Sequence, residues 1–208
     1  MSYLIISTII IIFLGFLSIK KNEVKDKLIK ENKISEKNYQ KLTVFSCFLG
    51  LILSFLSYKI KGPSILNVLY GLIFTISPIA IFEDLKSFTV NRHILRVSYL
   101  SVLIASPLYI KDKKTLILMG IISIIYIIFL LFGGKNFGPS DARMLLTVTP
   151  ISLMIIKNNI ILGILAPLIA SFFYQLGMMI FKRKIRVPVP LAPPIMGYIS
   201  VALLIFLF

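Results

Sequence analysis

The sequence predicts an all-α fold, a polytopic transmembrane helix bundle of about eight spans. Three observations carry this expectation. The apolar residue set makes up 58% of the chain and the mean hydropathy is +0.95. The apolar residues come in long runs rather than in stripes of 3.6-residue period, and the basic residues collect in short segments between those runs. A soluble domain is about half apolar, and one of this size cannot bury the excess. Lipid is therefore the expected solvent.

The elements follow in order. The run 3–19 is apolar, its charge begins only at Lys20, and no small-residue cleavage site follows, so an uncleaved signal anchor is expected. Residues 20–42 form the one long polar segment and mix lysines with Glu23, Asp26, Glu31 and Glu36. A short amphipathic or solvated helix at the headgroups suits that composition. Seven further spans are expected at 43–58, 65–82, 94–110, 115–133, 143–156, 159–181 and 191–208. Each is near the ~20 residues that cross ~30 Å of hydrocarbon, although the second and sixth spans overall are short. No internal repeat divides the chain, so 1–208 is expected to be a single membrane-embedded domain.

The loops set the orientation. Seventeen of the 23 basic residues fall at 20–41, at Lys86, Arg92 and Arg96, at Lys135 and Arg143, and at Lys182, Arg183, Lys184 and Arg186. The other six are Lys59, Lys61, Lys111, Lys113, Lys114 and Lys157. The richer side is expected to be cytoplasmic, which puts both termini outside a plasma membrane. The net charge of +15 then belongs to loops that meet anionic lipid headgroups, and a nucleic-acid partner is excluded. The single cysteine, Cys47, lies in an apolar run and makes neither a disulfide nor a zinc site. Its expected role is that of a small packed or lipid-facing residue. No cofactor or metal is implied.

Only eight residues are acidic. Four lie in the first polar segment and Asp112 lies in an outward loop among lysines, leaving Glu83, Asp84 and Asp141 at the cytoplasmic ends of spans. Carboxylates beside hydrocarbon are costly and mark function. Two that face one another can share a proton, so that one activates a water while the other protonates a peptide carbonyl. Asp141 follows Gly133, Gly134, Gly138 and Pro139 and precedes an apolar run, which places it at a helix start where negative charge is favoured. Asp84 follows an apolar run directly; Glu83 competes for the same role, and helical periodicity cannot separate adjacent positions. A third feature is Val187-Pro188-Val189-Pro190-Leu191-Ala192-Pro193-Pro194, whose prolines forbid a regular helix at the entrance of the last span. Irregular backbone at that depth either lines a cavity or serves as a rigid connector.

Together these segments resemble the prepilin peptidases, membrane aspartic proteases of the GxGD type. In that family one aspartate follows a span and precedes an Ile/Val-Pro-Asn element; here Asp84 precedes Val90, Asn91 and Arg92, which sets the register on Asp84 rather than Glu83. The family's Gly-x-Gly-Asp-x-Lys pattern is similar to Gly138-Pro139-Ser140-Asp141-Ala142-Arg143, with Ser140 for the second glycine and Arg143 for the lysine. Its late Pro-Phe-Gly-Pro element is similar to Pro190-Leu191-Ala192-Pro193. The resemblance covers about 65–205. It implies cleavage of the basic leader of prepilin-like substrate proteins at the cytoplasmic face, with Asp84 and Asp141 catalytic and Gly138, Ser140, Arg143, Lys86, Asn91, Pro190 and Pro193 in support. Long members carry a cysteine-rich zinc domain between the first two spans and methylate the new terminus. Residues 20–42 contain no cysteine, so methylation is not expected. Lys86 and Arg143 are expected at lipid phosphates and His93 at the interface. A transporter or assembly factor is the competing class, but it predicts inverted repeats and acids at the midplane, which the chain lacks. An inactive homologue is the other alternative.

Overall fold

The computed structural model describes every residue except 1, 21, 111, 133–138, 157–159 and 183–189. The described residues are helical, with no strand among them. The helices are α1 (Ser2–Lys20), α2 (Glu23–Lys30), α3 (Glu36–Lys61), α4 (Ile65–Ser87), α5 (Arg92–Tyr109), α6 (Lys113–Phe132), α7 (Pro139–Ile155), α8 (Ile160–Lys182) and α9 (Ala192–Leu207). Four of them are long and apolar enough to cross a membrane: α1, α3, α4 and the Ile161–Phe181 part of α8. The α9 helix is apolar and shorter.

Each run read as a span is a helix, and the largest boundary shifts are the start of α3 and the end of α4. The second run was expected at 43–58; α3 instead begins at Glu36 and spans 26 residues. Ser35 caps it by accepting the Asn38 N–H at 3.3 Å, and the lysines and glutamine of its first turns are good helix formers. The charge that ends an apolar run therefore does not end the helix. Similarly, α4 continues past residue 82 to Ser87, so Glu83 and Asp84 lie within its last turns and not beyond them. Among the described residues of the first polar segment, only Asn22 and 31–35 lie outside helices. The intervening α2 is capped by Asn22, whose side chain accepts the Lys25 N–H. It packs on α4 and carries the fully buried Leu28.

Lipid and protein interior are equally apolar, so helices in a membrane associate through small residues and polar contacts. That is how α1, α3 and α4 meet. The buried face of α1 includes Ser7, Ile11, Gly15 and Ser18, and that of α3 includes Thr43, Ser46, Gly50 and Ser54. The Ser54 hydroxyl donates to Ser7 at 2.7 Å. A Cβ on Gly50 would stand 2.6 Å from the Gly71 carbonyl oxygen and 2.1 Å from Thr75 Oγ1. Backbone thus touches backbone where α3 crosses α4.

Two helices act as hubs. One is α4, which is 78% buried over its apolar window and packs on α1, α2, α3, α5 and α9. The other is α7, nearly all buried, which packs on α5, α6, α8 and α9. Both hubs share α5 and α9 as neighbours. By contrast, α8 is only 6% buried over its window and exposes Phe172, Phe173 and Phe181.

The two ends of the bundle differ in chemistry. Ser7 reaches the Asn67 carbonyl at 3.4 Å, and the Tyr70 hydroxyl donates to the Leu203 carbonyl at 2.7 Å. These contacts put the starts of α1 and α4 and the end of α9 together. The opposite end gathers the end of α4 and the starts of α2, α5 and α9, and it holds Glu83 and Asp84.

Gly50→Ala is expected to separate α3 from α4 and to cost about 1–3 kcal/mol by overpacking. The measurement is the temperature at which the single thiol, Cys47, reacts with a dye as the detergent-solubilised protein is heated. That temperature falls for Gly50→Ala and stays unchanged for Gly120→Ala, where an added Cβ meets nothing within 4 Å.

Candidate functional site

The residues singled out by sequence converge on the end of the bundle opposite the termini. Asp84 is buried, with 6% of its surface exposed. Its Oδ2 accepts the Ala192 N–H at 2.7 Å, and the Leu191 N–H is a second backbone donor toward the same carboxyl. Helix starts leave N–H groups without intrahelical partners, and an anion is their natural acceptor. Leu191 and Ala192 sit between Pro190 and Pro193, and among the described residues of that proline-rich entrance they are the ones with N–H groups to give. The element read as a wall or a connector is therefore a pair of donors, aimed at Asp84 from the start of α9.

Asp141 lies in the first turn of α7 and is half-buried. Its charge acts on the Asp84 carboxyl, so the two acids share one electrostatic neighbourhood although 57 positions of sequence separate them. Each stands on one of the two hub helices. Pro139 and Ser140 open α7; Gly138, the first glycine of that motif, lies outside the described residues, as do Lys135 and Val187–Val189.

Lys86 is exposed, and its carbonyl accepts the Lys33 ammonium at 3.0 Å. The Nε of Arg143 is buried without a hydrogen-bond partner, and Arg92 and Arg96 lie near enough to repel its guanidinium. Arg92 itself pairs with Glu23 of α2. His93 touches the site through its backbone N–H, which Asn91 Oδ1 accepts at 2.9 Å.

The residue that the sequence reading passed over is Glu83. It is fully buried. Its Oε1 accepts the Tyr39 hydroxyl and the Asn22 side-chain amide, each at 2.6 Å. Its Oε2 accepts the Asn91 N–H at 2.8 Å. Those donors come from α3, from the cap of α2 and from the turn between α4 and α5. A signal was present: adjacent helical residues point about 100° apart, so Glu83 and Asp84 had to serve different neighbours. Naming those neighbours required the tertiary structure.

A larger cavity, of about 710 Å³, opens at the other end of the bundle between Tyr3, Ile65, Tyr109 and Met154. Of the acids, only Asp112 lines it, and that carboxylate is engaged by the Thr115 hydroxyl and N–H at 2.6 and 2.9 Å. The paired acids therefore outweigh cavity size in placing the site. No cluster of three or more His, Cys, Asp or Glu able to hold a metal occurs among the described residues. Compared with family models, with curated proteins and with solved structures, the chain finds no match.

Tyr39→Phe is expected to leave Glu83 short of one donor in a dry site and to destabilise the bundle by about 1–3 kcal/mol. Thermal exposure of the Cys47 thiol measures the loss; an unchanged midpoint would show that the tyrosine hydroxyl is replaceable there.

Proposed function

We propose that the chain is a membrane aspartic endopeptidase that removes the basic leader of prepilin-like proteins at the cytoplasmic face, with Asp84 and Asp141 as its two carboxyls. The observation that carries the reading is the convergence of these two acids. They stand on the two buried hub helices, at the same end of the bundle, with Asp141 acting on a buried Asp84. Two carboxyls that act on one another can hold a single proton between them. The ionised one takes a proton from a water as it attacks the scissile carbonyl, and the protonated one supplies a proton to the carbonyl oxygen.

The reading includes eight membrane crossings, by α1 and α3 to α9. The 18, 20, 17 and 16 residues of α5, α6, α7 and α9 correspond to rises of about 24–30 Å, near the hydrocarbon thickness. The end that carries the acids also carries the basic segments, including Lys33, Lys86, Arg92, Arg96 and Arg143, which favours placing it at the cytoplasmic leaflet. Arg143, Arg96 and Lys86 then meet lipid phosphates.

A place for the substrate's apolar helix lies beside α9. A groove of about 420 Å³ runs along Pro193, Gly197, Val201 and Ile205, one residue per helical turn, with Ala170 of α8 across it. Its upper end adjoins Ala192, the donor to Asp84. A helix seated there would deliver the peptide bond that precedes it to the acids.

The test is cleavage of a reconstituted prepilin-like substrate. Asp84→Asn and Asp141→Asn are each expected to abolish it while the protein still inserts and unfolds at an unchanged temperature. Ala192→Pro removes the N–H that Asp84 accepts, and a loss of rate of at least about tenfold is expected for one charge-assisted hydrogen bond. Cleavage that persists in Asp84→Asn would sink the assignment.

A further inference from the structure

We infer that Glu83 is a positioning residue for Asp84, and that Asn91 stands where the prepilin peptidase pattern has proline because the Glu83 carboxylate needs the backbone N–H of that position. The inference rests on the peptidase reading for its functional consequence, but its structural half stands on geometry alone.

Glu83 lies one residue before the candidate catalytic acid, in the last turns of α4. Its two oxygens accept three donors from three other segments: Tyr39 of α3, the Asn22 side chain and the Asn91 N–H. The network continues outward. Asn22 also meets the Tyr39 hydroxyl, Ser18 of α1 lies 3.2 Å from that hydroxyl and from Thr43, and Lys25 donates to the Ile19 carbonyl at 2.7 Å. The end of α4 is thus fixed against α1, α2, α3 and the turn into α5, all through one carboxylate. Asp84 is fixed on the other side by α9. The turn itself is tight: Phe88 ends α4 at φ 56°, with its N–H donating to the Asp84 carbonyl at 2.9 Å. A left-handed non-glycine residue persists only where its surroundings hold it, and this turn is held by the Ser87 hydroxyl's bonds to Thr89 and by the bond from Asn91 to Glu83.

A proline at position 91 would remove that donor and leave Oε2 buried with one partner fewer. Asn91 also caps α5 through its side chain, by accepting the His93 N–H. Asn91→Ala removes the side chain with its cap and leaves the backbone N–H, whereas Asn91→Pro removes both the side chain and the N–H. Proline also fixes φ at 91 and restricts Val90, so the N–H is isolated by comparing this difference with and without the Glu83 carboxylate. Glu83→Gln supplies the complementary defect, because its amide can direct its own N–H groups at that of residue 91.

The experiment measures thermal exposure of Cys47 and the cleavage kinetics for these variants singly and combined. With Glu83 present, Asn91→Pro is expected to unfold at a lower temperature than Asn91→Ala and to cut about tenfold more slowly, with the loss in kcat and KM unchanged. In the Glu83→Gln background that extra penalty is expected to vanish, so that Glu83→Gln/Asn91→Pro matches or exceeds Glu83→Gln/Asn91→Ala. An equal proline penalty in both backgrounds would overturn the pairing. Should the proline variants fail to insert, Tyr39→Phe and Glu83→Gln take their place, and strictly additive effects on kcat would overturn it. Failure of the peptidase reading looks different: the coupling in unfolding temperature persists while no variant, nor the parent chain, cleaves the substrate.

Discussion

The architecture depends on how one dry helix end accommodates two adjacent carboxyls. An ionised carboxylate taken out of water costs several kcal/mol unless donors surround it. At the end of α4 the chain meets that cost twice and in different ways. Glu83 draws donors from the segments on one side of the helix, and Asp84 draws backbone N–H groups from the start of α9 on the other. The demand for donors explains several features that hydrophobicity does not: the buried Asn22 and Tyr39, the short α2 folded back over α4, and a helix α9 that begins between prolines with its free N–H groups facing inward.

The same constraint organises packing farther away. Small residues let α1 and α3 close on α4, which brings Tyr39 and Asn22 within reach of Glu83 and Ser18 within reach of Tyr39. On the other flank α9 touches both hubs, so the element that holds Asp84 also packs against the helix that carries Asp141. The exposed α8 contributes little burial and borders a groove along α9.

Much of this was legible in the sequence. Long apolar runs gave every helix except α2 in outline, and rarity made the acids conspicuous, since three of eight fall at span ends. Asp84, Asp141 and the proline-rich entrance could be selected because each breaks an apolar pattern. What stayed hidden has one physical reason. The donors to Glu83 and Asp84 are an asparagine, a tyrosine and backbone N–H groups, which have no charge or periodicity to betray them, and they lie 8 to 108 positions away in sequence. The reach of α3 and α4 beyond their apolar runs was hidden too, because charged residues that end a hydropathy signal are themselves good helix formers.

The central claim is that Asp84 and Asp141 face a common space. It is tested most directly by replacing both with cysteine in a Cys47→Ser background, adding a protease site to the loop between α5 and α6, and treating membranes with a short bifunctional thiol reagent. The account predicts that the two fragments remain joined after the loop is cut. Fragments that separate, although both cysteines react with a monofunctional reagent of the same kind, would contradict it.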